Sequence, residues 1–88
     1  MTAGTATPRL RRGVRLSFDK VREREVVLLP EGVLVLNPTA AAVLALCDGG
    51  TPVSGIVAAL SERYREVRSA DVDDVLGRLA DRQVIEWV

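Results

Sequence analysis

The segment at residues 25–46, EVVLLPEGVLVLNPTAAAVLAL, constrains the fold more than any other part of this chain. Two apolar runs, residues 26–29 and 33–36, are joined by the turn Pro30-Glu31-Gly32, and the second run passes straight into a helix start. A sheet with one wet face alternates apolar and polar side chains along each strand. These runs do not alternate, so the strand pair carries apolar side chains on both faces. In a chain of 88 residues, one layer of helices covers only one of those faces. The surplus face, and the bare edge of the second run, read as a place for another polypeptide to dock.

The flanking pattern predicts a mixed α+β domain. Val14, Leu16 and Phe18 alternate with Arg15, Ser17 and Asp19, as in a half-buried first strand. Residues 20–24 are a charged turn, which makes residues 26–29 the central strand of a meander and residues 33–36 its edge. Gly32 supplies a turn position that β-branched residues resist. Asn37-Pro38 signals a helix start, because Asn caps free N–H groups and Pro is tolerated at the first helical position. Ala40, Val43, Leu44 and Cys47 share one face of that helix. Ala41, Ala42 and Ala45 are small enough for close approach, and Asp48-Gly49-Gly50 stops it.

Thr51-Pro52 repeats the cap-plus-proline signal. Val53, Ile56, Val57, Leu60 and Tyr64 form the buried stripe of a second helix. Gly55 lowers helix propensity by about 1 kcal/mol relative to Ala, which points to a close contact there. Ser69 or Ala70 opens a third helix, with Asp71, Asp73 and Asp74 complementing its dipole and Val72, Val75, Leu76 and Leu79 facing inward. Arg82-Gln83 ends it, Val67 is pinned inward ahead of it, and residues 84–88 are a short extended tail. The expected architecture is winged-helix-like: an N-terminal three-stranded antiparallel sheet followed by a three-helix bundle. Residues 1–8 read as a disordered lead-in and residues 9–88 as one domain.

Composition removes whole classes of function. The chain has no His, and Cys47 lies on a buried stripe, so Cys/His metal sites, Cys–His dyads and Ser–His–Asp triads are excluded together. There is no Gly-rich phosphate loop. A non-enzyme without cofactor or metal is expected. No run approaches the ~18 uncharged apolar residues of a membrane span, and the start lacks a secretory h-region. A single Cys is compatible with a reducing cytoplasm.

Formal net charge is zero but unevenly spread: residues 1–24 hold seven basic groups against Asp19 and Glu23, and the remainder carries the matching acidic excess. Such a basic segment either steers an acidic partner or is simply a solvated strand and turn. A winged helix commonly reads DNA through its third helix. Here that helix carries Asp71, Asp73, Asp74 and Asp81 against only Arg78 and Arg82, which disfavours contact with phosphates. Winged-helix DNA binding is therefore the alternative reading, and no nucleic-acid partner is expected.

Two candidate surfaces follow from the residues. Val33, Leu34, Val35 and Leu36 lack the Lys, Pro or bulge that normally guards an edge strand. A peptide pairing there gains main-chain hydrogen bonds; otherwise the strand is covered by residues 84–88. On the third helix, Asp71, Val75, Arg78, Leu79 and Arg82 offer either an apolar seat with cations for acidic peptide residues, or a solvated face braced by Asp74 and Arg78 at i,i+4. Arg12 and Arg15 are candidates for contact with an enzyme partner. Because a free edge also pairs with its own copy, a monomer or a weak, strand-exchanged homodimer is expected.

The run RGVRLSFDKVREREVVLLPEGVLVLNPTAAAVLALCDG, followed by Thr51, Ile56-Val57, Leu60, Tyr64, Asp74-Val75-Leu76 and Leu79, resembles the PqqD family of pyrroloquinoline quinone (PQQ) biosynthesis proteins. The resemblance covers residues 9–86. Its most specific parts are Arg12-Gly13-Val14-Arg15-Leu16, Leu34-Val35-Leu36-Asn37 and Thr39-Ala40-Ala41. What it implies is a cytoplasmic peptide chaperone and peptide-recognition domain. Such a protein binds the ribosomal precursor peptide PqqA by strand addition, with the peptide lying against the third helix, and presents it to the radical SAM enzyme PqqE. Similar domains serve as recognition elements in other peptide-modifying pathways, which the resemblance leaves open. One departure from the pattern is Ala42, in an unusually charge-free first helix.

Overall fold

The computed structural model describes residues 6–88. Its elements run β1 (Pro8–Leu10), β2 (Arg15–Asp19), β3 (Arg24–Leu29), β4 (Gly32–Val35), α1 (Pro38–Leu44), α2 (Val53–Ser61), α3 (Ser69–Asp81) and β5 (Ile85–Trp87). The expected mixed α+β arrangement, with three helices and antiparallel sheets, is present. The sheet is more than the N-terminal meander, however: β2-β3-β4 form one sheet, and β1 pairs with β5 in a second.

Register sorts the meander's side chains. Leu16 stands opposite Val27, and Val27 opposite Leu34, so these three share the inner face with Leu29. Val26 faces Val35 and Leu28 faces Val33 on the outer face, where Arg15 and Ser17 of β2 join them. Both faces of the β3–β4 pair are thus apolar, as the unbroken runs predict. Val27 belongs to the continuous core with Leu44, Ile56, Leu76 and Ile85, whereas Val26 stands outside that cluster. Phe18 shares the inner-face parity of Leu16 but lies near the hairpin end and is exposed.

The N-terminal lead-in was expected to be disordered through Pro8. Residues 1–5 lie outside the described residues, but residues 6–8 are bound into the fold. The Ala6 carbonyl accepts from Val53 N–H at 2.9 Å, Thr7 carbonyl from Val88 N–H at 2.8 Å, and Pro8 carbonyl from Gly49 N–H at 3.0 Å. The Arg9 Nε–Glu86 Oε2 ion pair at 2.7 Å spans the same two strands. The extended tail therefore pairs with β1 and leaves β4 uncovered. Gly49 has φ +80, and a Cβ there would stand 3.4 Å from the Arg9 Cβ, so glycine suits this crossing for both reasons.

Helix boundaries follow local chemistry. Asn37 Oδ1 accepts from Ala40 N–H at 2.8 Å, capping α1 as its sequence signal predicts. Thr51 does not cap α2. Its hydroxyl donates to Asp48 Oδ2 at 3.1 Å, while Asp48 Oδ1 accepts from the N–H groups of Gly50 and Thr51, each at 2.9 Å. Those bonds, the Gly50 N–H first, hold the Asp48 carboxyl below its ordinary value. Pro52 takes the N-cap position without a side-chain bond, and the carbonyl of Ala6 supplies the missing acceptor. A Cβ on Gly55 would lie 3.0 Å from Thr51 Cγ2, which is the close contact its low propensity suggests. α2 ends at Ser61, so Tyr64 is not part of a buried helical stripe and half of it is exposed.

Candidate functional site

β4 is the last strand of its sheet, with no further strand paired beside it among the described residues. Leu36 N–H donates to the Glu25 carbonyl at 3.0 Å. Antiparallel alternation then points the Leu34 backbone at Val27, and turns the N–H and C=O of Val33 and Val35 toward the open edge. Those two residues offer the acceptors and donors for an added strand. Leu36, expected to belong to this edge, does not: it is 4 % exposed, packed in the core, and its carbonyl accepts from Arg24 Nη2 at 3.2 Å. Leu34 is half-buried on the inner face.

Past Leu36 the chain enters α1, and Pro38 begins a groove of about 330 Å³ between α1 and α3. Its floor is apolar, built from Ala42, Val43, Leu60, Val67, Val72 and Val75; Tyr64 forms one wall. Arg65, Glu66, Arg68 and Asp71 ring it with mixed charge. Beyond Tyr64 a second hollow of about 380 Å³ reaches toward Leu16, Leu46 and Arg63, sharing Pro38, Ala42, Leu60 and Tyr64 with the first.

The predicted helix residues divide accordingly. Asp71, Val75, Arg78 and Arg82 recur along one stripe of α3, and Asp71 and Val75 line the groove. Arg78 is exposed and ion-paired to Asp74, and Arg82 caps the helix C-terminus. Leu79, expected on the same surface, does not belong to it. At 4 % exposure it packs in the core, one position round from the stripe, and has no surface to offer a ligand. Arg12 and Arg15 are exposed and lie away from the groove, Arg15 on the outer sheet face opposite Leu28. Sequence reasoning missed Tyr64, Arg65 and Arg68 as groove residues. The polar break after Ser61, which ends the apolar periodicity before Tyr64, was the available signal.

Among the described residues no cluster of three His, Cys, Asp or Glu side chains is placed to hold a metal, and no helix is long and apolar enough to cross a membrane. Cys47 is buried, with its thiol pushed up to about 12 by desolvation and then by the neighbouring Asp48 charge.

The model of the family described as coenzyme PQQ synthesis protein D (PqqD) matches residues 25–85, which contain the edge strand and every groove residue. The chain belongs to the PqqD family. A "PqqA binding protein" from Klebsiella pneumoniae is 42 % identical over 84 residues, covering 96 % of this chain and 90 % of that one. The "bifunctional coenzyme PQQ synthesis protein C/D" of Methylorubrum extorquens is 42 % identical over 87 residues, and the matched part is 23 % of its length. The solution NMR structure of the PqqD part of Methylobacterium extorquens PqqCD is described as a functional, stand-alone recognition element for ribosomally synthesized and post-translationally modified peptides. It superposes with a TM-score of 0.76 at 41 % identity, covering 98 % of this chain and 95 % of that one.

Proposed function

We infer that this PqqD family member is a peptide chaperone of PQQ biosynthesis. It binds the precursor peptide PqqA by strand addition to β4 and presents it to the radical SAM enzyme PqqE in the cytoplasm, itself taking no catalytic part. The observation that carries this reading is the open edge at Val33 and Val35, followed directly by an apolar groove against α3. An extended peptide arriving there satisfies its own backbone on β4 and has pockets for alternate side chains. The names of the relatives, PqqA binding protein among them, support the same ligand.

On this reading the groove takes apolar peptide side chains over Val67 and Val75, while Arg65 and Arg68 receive acidic ones. Arg78 contributes less, since Asp74 already holds it. The winged-helix alternative, DNA binding, has little to support it: α3 carries Asp71, Asp73, Asp74 and Asp81, and one of its two arginines is ion-paired within the helix. The protein works as a monomer or weak dimer, with strand exchange across β4 as the competing use of the edge.

Titration with the precursor peptide encoded beside this gene tests the reading. Amide shifts are expected at Val33 and Val35 and across residues 64–75, saturating with peptide. A flat titration rejects it.

A further inference from the structure

The peptide reading uses the edge of β4 and the groove, and leaves the outer face of the β2-β3-β4 sheet unexplained. That face is apolar at its centre. Val26 is 3 % exposed, and around it Leu28, Val33 and Val35 stand at 38 %, 54 % and 41 %. The core that the helices build includes Val27 but none of Val26, Leu28, Val33 and Val35. Contiguous apolar surface on a small protein marks a contact site more often than an accident of composition.

The strands place three charged side chains on this face, Arg15, Arg24 and Asp19. Arg15 sits beside Leu28 in register and has no ion-pair partner among the described residues. Arg24 borders the other end, opposite Asp19. Asp19 is the one acidic side chain that β2, β3 and β4 place on this face, and it is already occupied: it pairs with Arg22 at 3.2 Å and accepts from the N–H groups of Val21 and Arg22 at 2.9 and 3.1 Å. The turn carrying Arg11 and Arg12 lies against the β3–β4 turn, where a Cβ on Gly13 would be 3.8 Å from Pro30 Cγ. Arg11, Arg12, Arg15 and Arg24 thus outnumber Asp19 and the turn residue Glu31 around an apolar centre.

Shape selects the kind of partner. A lone extended peptide laid on a sheet face has no backbone groups to pair with, because the strands beneath have used theirs on one another. A folded protein brings its backbone already satisfied and needs only side-chain complementarity. We propose that the outer face of the β2-β3-β4 sheet docks a folded protein presenting acidic side chains around an apolar centre, while the opposite groove holds a peptide. The two sites meet at β4, whose side chains at Val33 and Val35 point to the outer face while their backbone groups point to the edge. A partner on this face is therefore held within a strand's width of the bound peptide.

The inference rests on the proposed function only for its probe, a PqqE enzyme. The full-length protein and its Arg15→Glu and Leu28→Glu variants are titrated separately with PqqE and with the precursor peptide. Each variant is expected to weaken the PqqE complex at least tenfold and to leave peptide affinity within twofold. Arg15→Glu changes an exposed side chain, so its amide spectrum stays folded even where Leu28→Glu disturbs the sheet. PqqE affinity within twofold of wild type for Arg15→Glu, or variants that abolish only self-association in sedimentation, overturns the proposal. Loss of PqqE binding beside a flat wild-type peptide titration keeps this face and rejects the peptide reading instead.

Discussion

Val53 N–H, the first donor of α2, is capped by the carbonyl of Ala6 at 2.9 Å, a bond between residues far apart in sequence. The helix has no side-chain cap of its own, so its start depends on the N-terminal strand being in place. Deleting residues 1–7 removes this acceptor and the Thr7 carbonyl that receives Val88 N–H. At about 1 kcal/mol per bond the loss is about 2 kcal/mol, which in a domain of this size lowers Tm by roughly 10 °C. Thermal unfolding by circular dichroism checks it.

Val35 and Leu34 respond differently to substitution although they are neighbours. The Val35 N–H points to the open edge, so Val35→Pro removes a donor that no strand of the fold uses. Peptide affinity is expected to fall at least tenfold with the helical signal retained. Leu34→Lys places a charge on the half-buried inner face opposite Val27 and unfolds the protein before it tests binding. Calorimetric titration beside a melting curve separates the two effects.

Asp48 gives the fold a pH dependence of defined sign. Its folded pKa is lowered, principally by the Gly50 N–H and then the Thr51 hydroxyl. The stabilisation is complete above the unfolded value of about 3.9 and disappears as pH falls through the lower folded value. Asp48→Ala is expected to lower Tm at pH 7 and to flatten the decline of Tm below about pH 4 relative to wild type.

Gly55 and Thr51 form a testable pair. Replacing Gly55 with Ala gains up to about 1 kcal/mol of helix propensity, but the new Cβ meets Thr51 Cγ2 at 3.0 Å, and the Thr51 hydroxyl is tied to Asp48. Gly55→Ala alone is expected to leave stability unchanged or reduced. Combined with Thr51→Ser, which keeps the hydroxyl and removes the methyl, it raises stability. Denaturant midpoints for both variants and the double variant check this by a cycle.

Much of this molecule is legible in its sequence because local patterns set it. The unbroken runs at 26–29 and 33–36 announce two apolar faces, and Asn37-Pro38 announces the start of α1. What escaped prediction depends on distant partners. Pro8 reads as the end of a disordered lead-in and Arg9-Leu10 as an unpaired start of the domain until residues 85–87 are laid beside them, and no periodicity in three residues reveals a strand. Tyr64 continues the spacing of the α2 stripe, yet the helix stops short of it and the ring becomes a groove wall. Leu36 and Leu79 look like site residues by proximity in sequence. A one-residue change of strand face and a small rotation about α3 put both in the core.

Thr7 and Val88 are hydrogen-bonded neighbours, so the described residues come close to a closed ring. Neither β1 nor β5 contributes a side chain to the groove. A further domain joined next to Thr7 or Val88 would leave from the β1–β5 pair, outside the lining of the groove, and the ring is suited to being cut at the β2–β3 hairpin and rejoined between those two residues.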